Sequence, residues 1–222
     1  MAVPLGWLLS LLGATTAFVI QKHQPSSRLH CFSILSLPLL MVVEAKTFSP
    51  PPMLQVKTEV KINAPPEKVW PQVIAFSQLP PPCELLFKTG IAYPIKAEIQ
   101  GEGHGAIRKC VFSTGAFVEP ITVWQEPDLL RFNVSEQPAS MTEISFYQNL
   151  HPPHLDHYLR SHQGQFLLKK KQPDGAHSSR GTTWYDNRMW PQTYWRLWSH
   201  YLIHKIHKRV LNHIKTQVEN QT

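Results

Sequence analysis

The chain reads as an α+β domain in which a curved antiparallel sheet of six to seven strands wraps round a long C-terminal helix, with hydrophobic segments ahead of it. Three observations carry that expectation. After Pro191 there is no further proline or glycine, and apolar residues recur at Trp195, Trp198, Leu202, Ile206, Val210, Ile214 and Val218, in steps of three or four. Between Ile95 and Arg188, short alternating runs are separated by glycine-, proline- and aspartate-bearing turns. The strands follow one another while the helices stand apart, which implies antiparallel pairing.

The final helix is expected over Trp190–Glu219, with Pro191 in its first turn, where a missing N–H costs nothing. At ~1.5 Å per residue it would be roughly 40 Å long, enough to cross six or seven strands spaced ~4.8 Å apart. Steps of four overshoot a turn, so the stripe winds slowly and suits a curved surface.

The chain has 222 residues, 42% hydrophobic and 17% charged, enough for a core and too apolar for disorder. Its three cysteines, Cys31, Cys83 and Cys110, include no CxxC pair, which argues against a disulfide framework and a cysteine metal site. The formal charge of +7 invites a nucleic-acid reading. The cations are scattered, however, apart from Lys169-Lys170-Lys171 and the outer side of the last helix, and no nucleic-acid module appears. No nucleic acid is therefore expected as a partner, and an anionic membrane surface ranks above it.

Residues 1–20 carry no charged side chain and are read as a membrane anchor, with the thirteen-residue run Cys31–Val43 as a weaker second segment. The expected division is a hydrophobic anchor region over 1–45, a proline-rich linker over 46–53 and a folded domain over 54–222. That makes the protein membrane-associated.

Within the domain, Val56, Thr58, Val60 and Ile62 alternate with Lys57, Glu59 and Lys61, the pattern of a half-buried strand. Asn63-Ala64-Pro65-Pro66-Glu67 starts a helix with Val69, Trp70, Val73 and Ile74 on its apolar side, kept short by Pro71. Strands are expected over Ile95–Gln100, Ala106–Phe112, Ala116–Trp124, Leu129–Ser135, Met141–Leu150, Gly164–Lys171 and Gly181–Arg188. Gly101-Glu102-Gly103-His104-Gly105 is read as a hairpin turn rather than a phosphate cradle, because an alternating strand follows it.

The phrase Ala64-Pro65-Pro66-Glu67-Lys68-Val69-Trp70, the glycine hairpin followed by Ala106-Ile107-Arg108, and the closing helix resemble the START-like superfamily. This is the helix-grip fold of polyketide cyclase-like proteins, lipid-transfer START domains and the birch-pollen allergen type. Gly105–Pro127, Thr182-Thr183-Trp184-Tyr185 and Ile206-His207-Lys208-Arg209-Val210-Leu211 are similar to uncharacterised bacterial members with membrane segments ahead of the domain. The resemblance implies an apolar small molecule or lipid held between sheet and helix, with no cofactor. It also leaves room for a cyclase or dehydratase-like enzyme in the same pocket, or for a ligand-free interaction module.

A two-residue loop at Thr114-Gly115 would set Cys110 opposite Glu119 and Arg108 opposite Ile121, so that Arg108, Cys110, Phe112, Phe117, Glu119 and Ile121 share one face. That face is expected to be concave and to look toward Trp198, Leu202 and Ile206, with Val118, Thr122 and Trp124 on the other. Arg108 and Glu119 then either orient a ligand's polar group or tie two strands together. The expected ligand-binding residues are Arg108, Phe117, Glu119, Trp124, Tyr147, Tyr185, Tyr194 and Trp198. No GxSxG or paired-carboxylate signature appears, so an acid–base enzyme would draw on Glu119, Tyr147, Tyr185 or Asp186. His200, His204 and His207 have no acid or cysteine nearby in sequence to complete a shell, while His151, His154, His157 and His162 occupy a proline-bearing loop with Asp156; both groups are read as solvated helix-face and loop histidines, and no metal site is expected.

Overall fold

The computed structural model describes residues 3–23, 38–43, 46–47, 52–142, 158–169 and 177–220. It divides into two compact units, Met1–Ser49 and Pro50–Thr222. In the first, α1 spans Val3–His23, and residues 38–43 are also helical. Among the described residues no helix is long and apolar enough to cross a membrane. The expected transmembrane anchor and membrane-associated location are corrected by that finding. The apolar run of α1 is diluted by Ser10, Gly13, Thr15 and Thr16. The Thr15 and Thr16 hydroxyls donate back to the carbonyls of Leu11 and Leu12.

The second unit contains β1 (Leu54–Ile62), α2 (Pro66–Ile74), α3 (Leu85–Lys88), β2 (Pro94–Gln100) and β3 (Ile107–Phe112). It continues through β4 (Gly115–Gln125), β5 (Leu129–Asn133), β6 (Leu159–Lys169), β7 (His177–Asn187) and α4 (Gln192–Glu219). The strands form a seven-stranded antiparallel sheet in the order β1-β7-β6-β5-β4-β3-β2. Register shifts at Pro94/Lys96, Ile121/Val123 and Ser161/Gln163 mark bulges, which bend the strands that carry them.

Local chemistry explains the elements. On β1, Val56, Thr58 and Ile62 are buried while Lys57, Glu59 and Lys61 are exposed, as alternation requires. Pro65 caps α2, Glu67 sits in its first turn and Pro71 lies inside it; Val69, Trp70 and Val73 are buried against the core. The helix ends after nine residues. The expected strand Met141–Leu150 begins with Met141 in an isolated bridge to Ile91; 143–150 fall outside the described residues. His162, expected in a loop, lies in β6.

Along α4, Val210, Ile214 and Val218 are buried as the stripe requires, joined by Leu211. In the N-terminal half the helix is rotated from expectation: Ser199 and Ile203 are buried, while Trp198 and Leu202 are only half-buried. A polar partner causes the shift. Asn187 Nδ2 donates to Ser199 Oγ at 2.7 Å, and that hydroxyl donates to the Trp195 carbonyl at 2.7 Å.

Candidate functional site

The site starts at the β3–β4 hairpin. Arg108 pairs with Glu119, Cys110 with Phe117 and Phe112 with Gly115. The loop is therefore Ser113-Thr114, and the register differs by two residues from the one expected. Gly115 has φ +142°, a conformation that disfavours any side chain, and a Cβ there would meet the Pro138 Cβ at 3.0 Å. A slip of two residues preserves faces. Arg108, Cys110, Phe112, Glu119 and Ile121 are accordingly all buried on one side, with Phe117 half-buried beside them.

Arg108 and Glu119 form a direct ion pair, and only 1% and 6% of the two residues are exposed. Arg108 Nε also donates to the Ile74 carbonyl at 2.9 Å. The guanidinium lies over the rings of Phe76, Phe132 and Phe166 at 5.5, 5.4 and 5.6 Å. Ring faces attract a cation most strongly where water is excluded. Burial, the largest single influence, would lower the Arg108 pKa, but the Glu119 charge and hydrogen bond together with Cys110 outweigh it and raise the pKa, so the guanidinium stays charged. Burial, reinforced by the Glu119 charge, pushes the Cys110 thiol up to about 12. That thiol is unreactive at neutral pH.

This pair lies on the wall of a cavity of about 120 Å³ between the sheet and the middle of α4. Phe76, Phe112, Phe117, Phe132 and Phe166 supply aromatic wall, and Ile203, Ile206 and Val210 of α4 close the other side. Ser161, Gln163 and Thr183 add hydroxyl and amide groups. Gly164 makes the arrangement possible: a Cβ there would lie 2.4 Å from the Phe132 ring. A glycine inside a strand often marks such a close approach.

The remaining expected residues lie elsewhere. Trp124 is turned to the concave side by the bulge between Ile121 and Val123, but it packs edge-on against Trp70, with ring centroids 5.6 Å apart, and does not line the cavity. Tyr185 is fully buried in a second cluster with Val56 and Ile203, and its hydroxyl lies 3.3 Å from His200 Nδ1. Tyr194 and Trp198 meet edge to face near the start of α4, with centroids 6.3 Å apart. Tyr147 lies outside the described residues. Asp186 turns away from the cavity to meet His162 Nε2 at 2.7 Å. Of Glu119, Tyr185 and Asp186, only Glu119 is on the cavity wall. The sequence reading missed Phe132, Phe166, Ser161, Gln163 and Ile203 as wall residues; Gly164 in mid-strand was the available signal.

The histidines of α4 form a polar seam against β1 and β7. Thr58 Oγ1 lies 2.8 Å from His204 Nδ1 and 3.1 Å from His207 Nδ1. Thr183 Oγ1 lies 2.8 Å from His207 Nε2. Burial, then His204 nearby, pulls the His207 pKa down to about 4. His204 is lowered by burial and by Lys208, Lys205 and His200. Among the described residues no group of three or more histidine, cysteine or carboxylate side chains could hold a metal ion.

No family model matches the sequence, and neither does any curated protein. Solved structures do match. XoxI from Bacillus cereus superposes with a TM-score of 0.50 at 12% identity, covering 76% of this chain and 98% of its own. An uncharacterised protein from Bacillus thuringiensis gives 0.48 at 11%, covering 74% and 98%. Norcoclaurine synthase from Thalictrum flavum, solved with dopamine and hydroxybenzaldehyde, gives 0.48 at 12%, covering 77% and 89%. The curled antiparallel sheet and long C-terminal helix decide the class. The domain has the START-like helix-grip fold. At these identities the likeness of the START-like domain to its neighbours is one of fold alone.

Proposed function

We propose that the START-like domain, residues 54–222, binds an apolar small molecule of about one ring in the cavity between the sheet and α4. The observation that carries this reading is the 120 Å³ space lined by phenylalanine and aliphatic walls. An apolar cavity of about 150 Å³ in a protein core takes up benzene, so the space suits one ring rather than a whole lipid. Arg108 and Glu119 satisfy each other and leave the walls largely apolar, while Ser161, Gln163 and Thr183 offer hydrogen bonds to a single polar substituent. An apolar site with a few convergent polar groups is the usual form of a small-molecule site.

The test uses 4-nitrophenol as the one-ring probe and palmitate as the lipid control, each titrated into the full chain. Saturable shifts in the NMR signals of the Phe117 and Phe132 rings are expected with 4-nitrophenol, and Phe117→Trp, which fills the space, should abolish them. The reading fails if palmitate produces the saturable shifts and 4-nitrophenol does not.

A further inference from the structure

The polar seam of α4 reaches the cavity at one end. Thr183, whose hydroxyl meets His207 Nε2, is also a wall residue of the cavity. At the other end stands His204, half-buried on α4 with the charged Lys205 and Lys208 beside it. Thr58 joins the two histidines through a single oxygen, 2.8 and 3.1 Å from their Nδ1 atoms. We propose that His204, Thr58, His207 and Thr183 form a proton path from solvent to whatever occupies the cavity.

Donor and acceptor counting supports the path. A threonine hydroxyl has one proton and two lone pairs, and a neutral imidazole has one N–H and one bare nitrogen. Thr58 can bond both Nδ1 atoms only if one of them carries a proton and the other does not. With the proton on His204 Nδ1, Thr58 donates to His207 Nδ1, so His207 carries its own proton on Nε2 and donates to Thr183. The whole row then points toward the cavity. Reversing every bond gives an equally satisfied row that points toward solvent.

The transfer balances atom by atom. His204, protonated from solvent, gives its Nδ1 proton to Thr58, whose own proton passes to His207 Nδ1. The Nε2 proton of His207 moves to Thr183, and the Thr183 proton goes to a basic atom of the occupant. One proton is moved, His204 and His207 each exchange one tautomer for the other, and nothing is oxidised. The groups facing the path favour neutral resting imidazoles. On α4 these are His200, Lys205 and Lys208, all of which oppose a second positive charge at His204. On β1 and β7 the nearest acids, Glu59 and Asp186, alternate to the opposite face, where Arg180 and His162 hold them. No carboxylate on those strands therefore traps the proton along the way.

The destination rests on the ligand reading above; the path itself does not. Exchange of the His207 ring N–H with solvent, followed by NMR on the full chain, reads the path without any ligand. Removing the hydroxyl in Thr58→Val should slow that exchange by about tenfold, a barrier increase of ~1.4 kcal/mol, while Thr58→Ser should keep it. His204→Phe gives the same reading from the solvent end if Thr58→Val does not fold. Equal exchange in the parent and the folded variant overturns the path. Delivery is read with 4-nitrophenol in the cavity. After a drop in pH its bound phenolate should take up a proton about a hundredfold more slowly in Thr183→Val, the low end of what a positioned proton donor contributes. Equal rates overturn the delivery step. A probe that never binds overturns the ligand reading and leaves the exchange result standing.

Discussion

Removing the Glu119 carboxylate leaves a charged guanidinium buried on the cavity wall, and the cost follows from its surroundings. Arg108 is 1% exposed and cannot turn to bulk water. Breaking a buried pair by deleting one partner costs about 3–5 kcal/mol. In Glu119→Ala the Ile74 carbonyl and three ring faces still hold the cation, and the adjoining cavity has room for water. The expectation is therefore the lower end, about 3 kcal/mol. For a domain of this size that lowers the Tm by about 6–12 °C, and thermal unfolding of the full chain, checked by urea titration, measures it. The paired substitution Arg108→Met with Glu119→Leu should recover most of the loss, because apolar replacement of a buried pair is often neutral or stabilising. A loss below about 1 kcal/mol in Glu119→Ala, the range of an exposed pair, refutes the argument. So does a double variant no more stable than the single one.

Two further outcomes test the surroundings. Gly164→Ala should push the Phe132 ring out of its place over Arg108, costing about 1–3 kcal/mol as overpacking does and weakening 4-nitrophenol binding; unchanged binding and Tm would show that Phe132 does not wall the cavity. Stability should fall as pH drops from about 6.5 toward 4. The folded His207 titrates at about 4 while the unfolded residue titrates near 6.5, so the unfolded chain binds more protons in that interval. His200, His204 and His213, lowered chiefly by burial, add the same sign. His207→Gln should flatten the acid limb of a Tm-against-pH curve, and an unaltered slope would remove His207 from the account.

The concave face of β3 and β4 was legible because a strand alternates with a period of two, and that signal survives a register error of two residues. The register itself was not, since Thr114-Gly115 and Ser113-Thr114 read equally well as loops until the φ of Gly115 is known. Trp124 fell on the wrong face because a bulge adds a residue that alternation cannot see. On α4 the turn at Ser199 was misread for a different reason. Serine carries no apolar signal, and its burial depends on Asn187, a partner on another element. The histidines were read as solvated because neither Thr58 nor Thr183 is their neighbour in sequence; only the β1–β7 pairing brings Val56 opposite Thr183 and Thr58 opposite Gly181.

The sheet order also constrains how the chain comes together in time. β1 and β2 are successive strands in sequence but stand at opposite edges, and among the described residues β1 pairs only with β7, more than a hundred residues further on. On a ribosome, the first strand emerges long before its partner exists. It must wait through the synthesis of the whole meander and then be joined by the helix whose Ile214 and Val218 complete its side of the core. Closing so long a loop carries an entropy cost that the final contacts alone offset. Folding dominated by distant contacts is slow. The meander β2–β6, paired strand to next strand, can zip locally, but the gripped helix and the first strand are fastened together last.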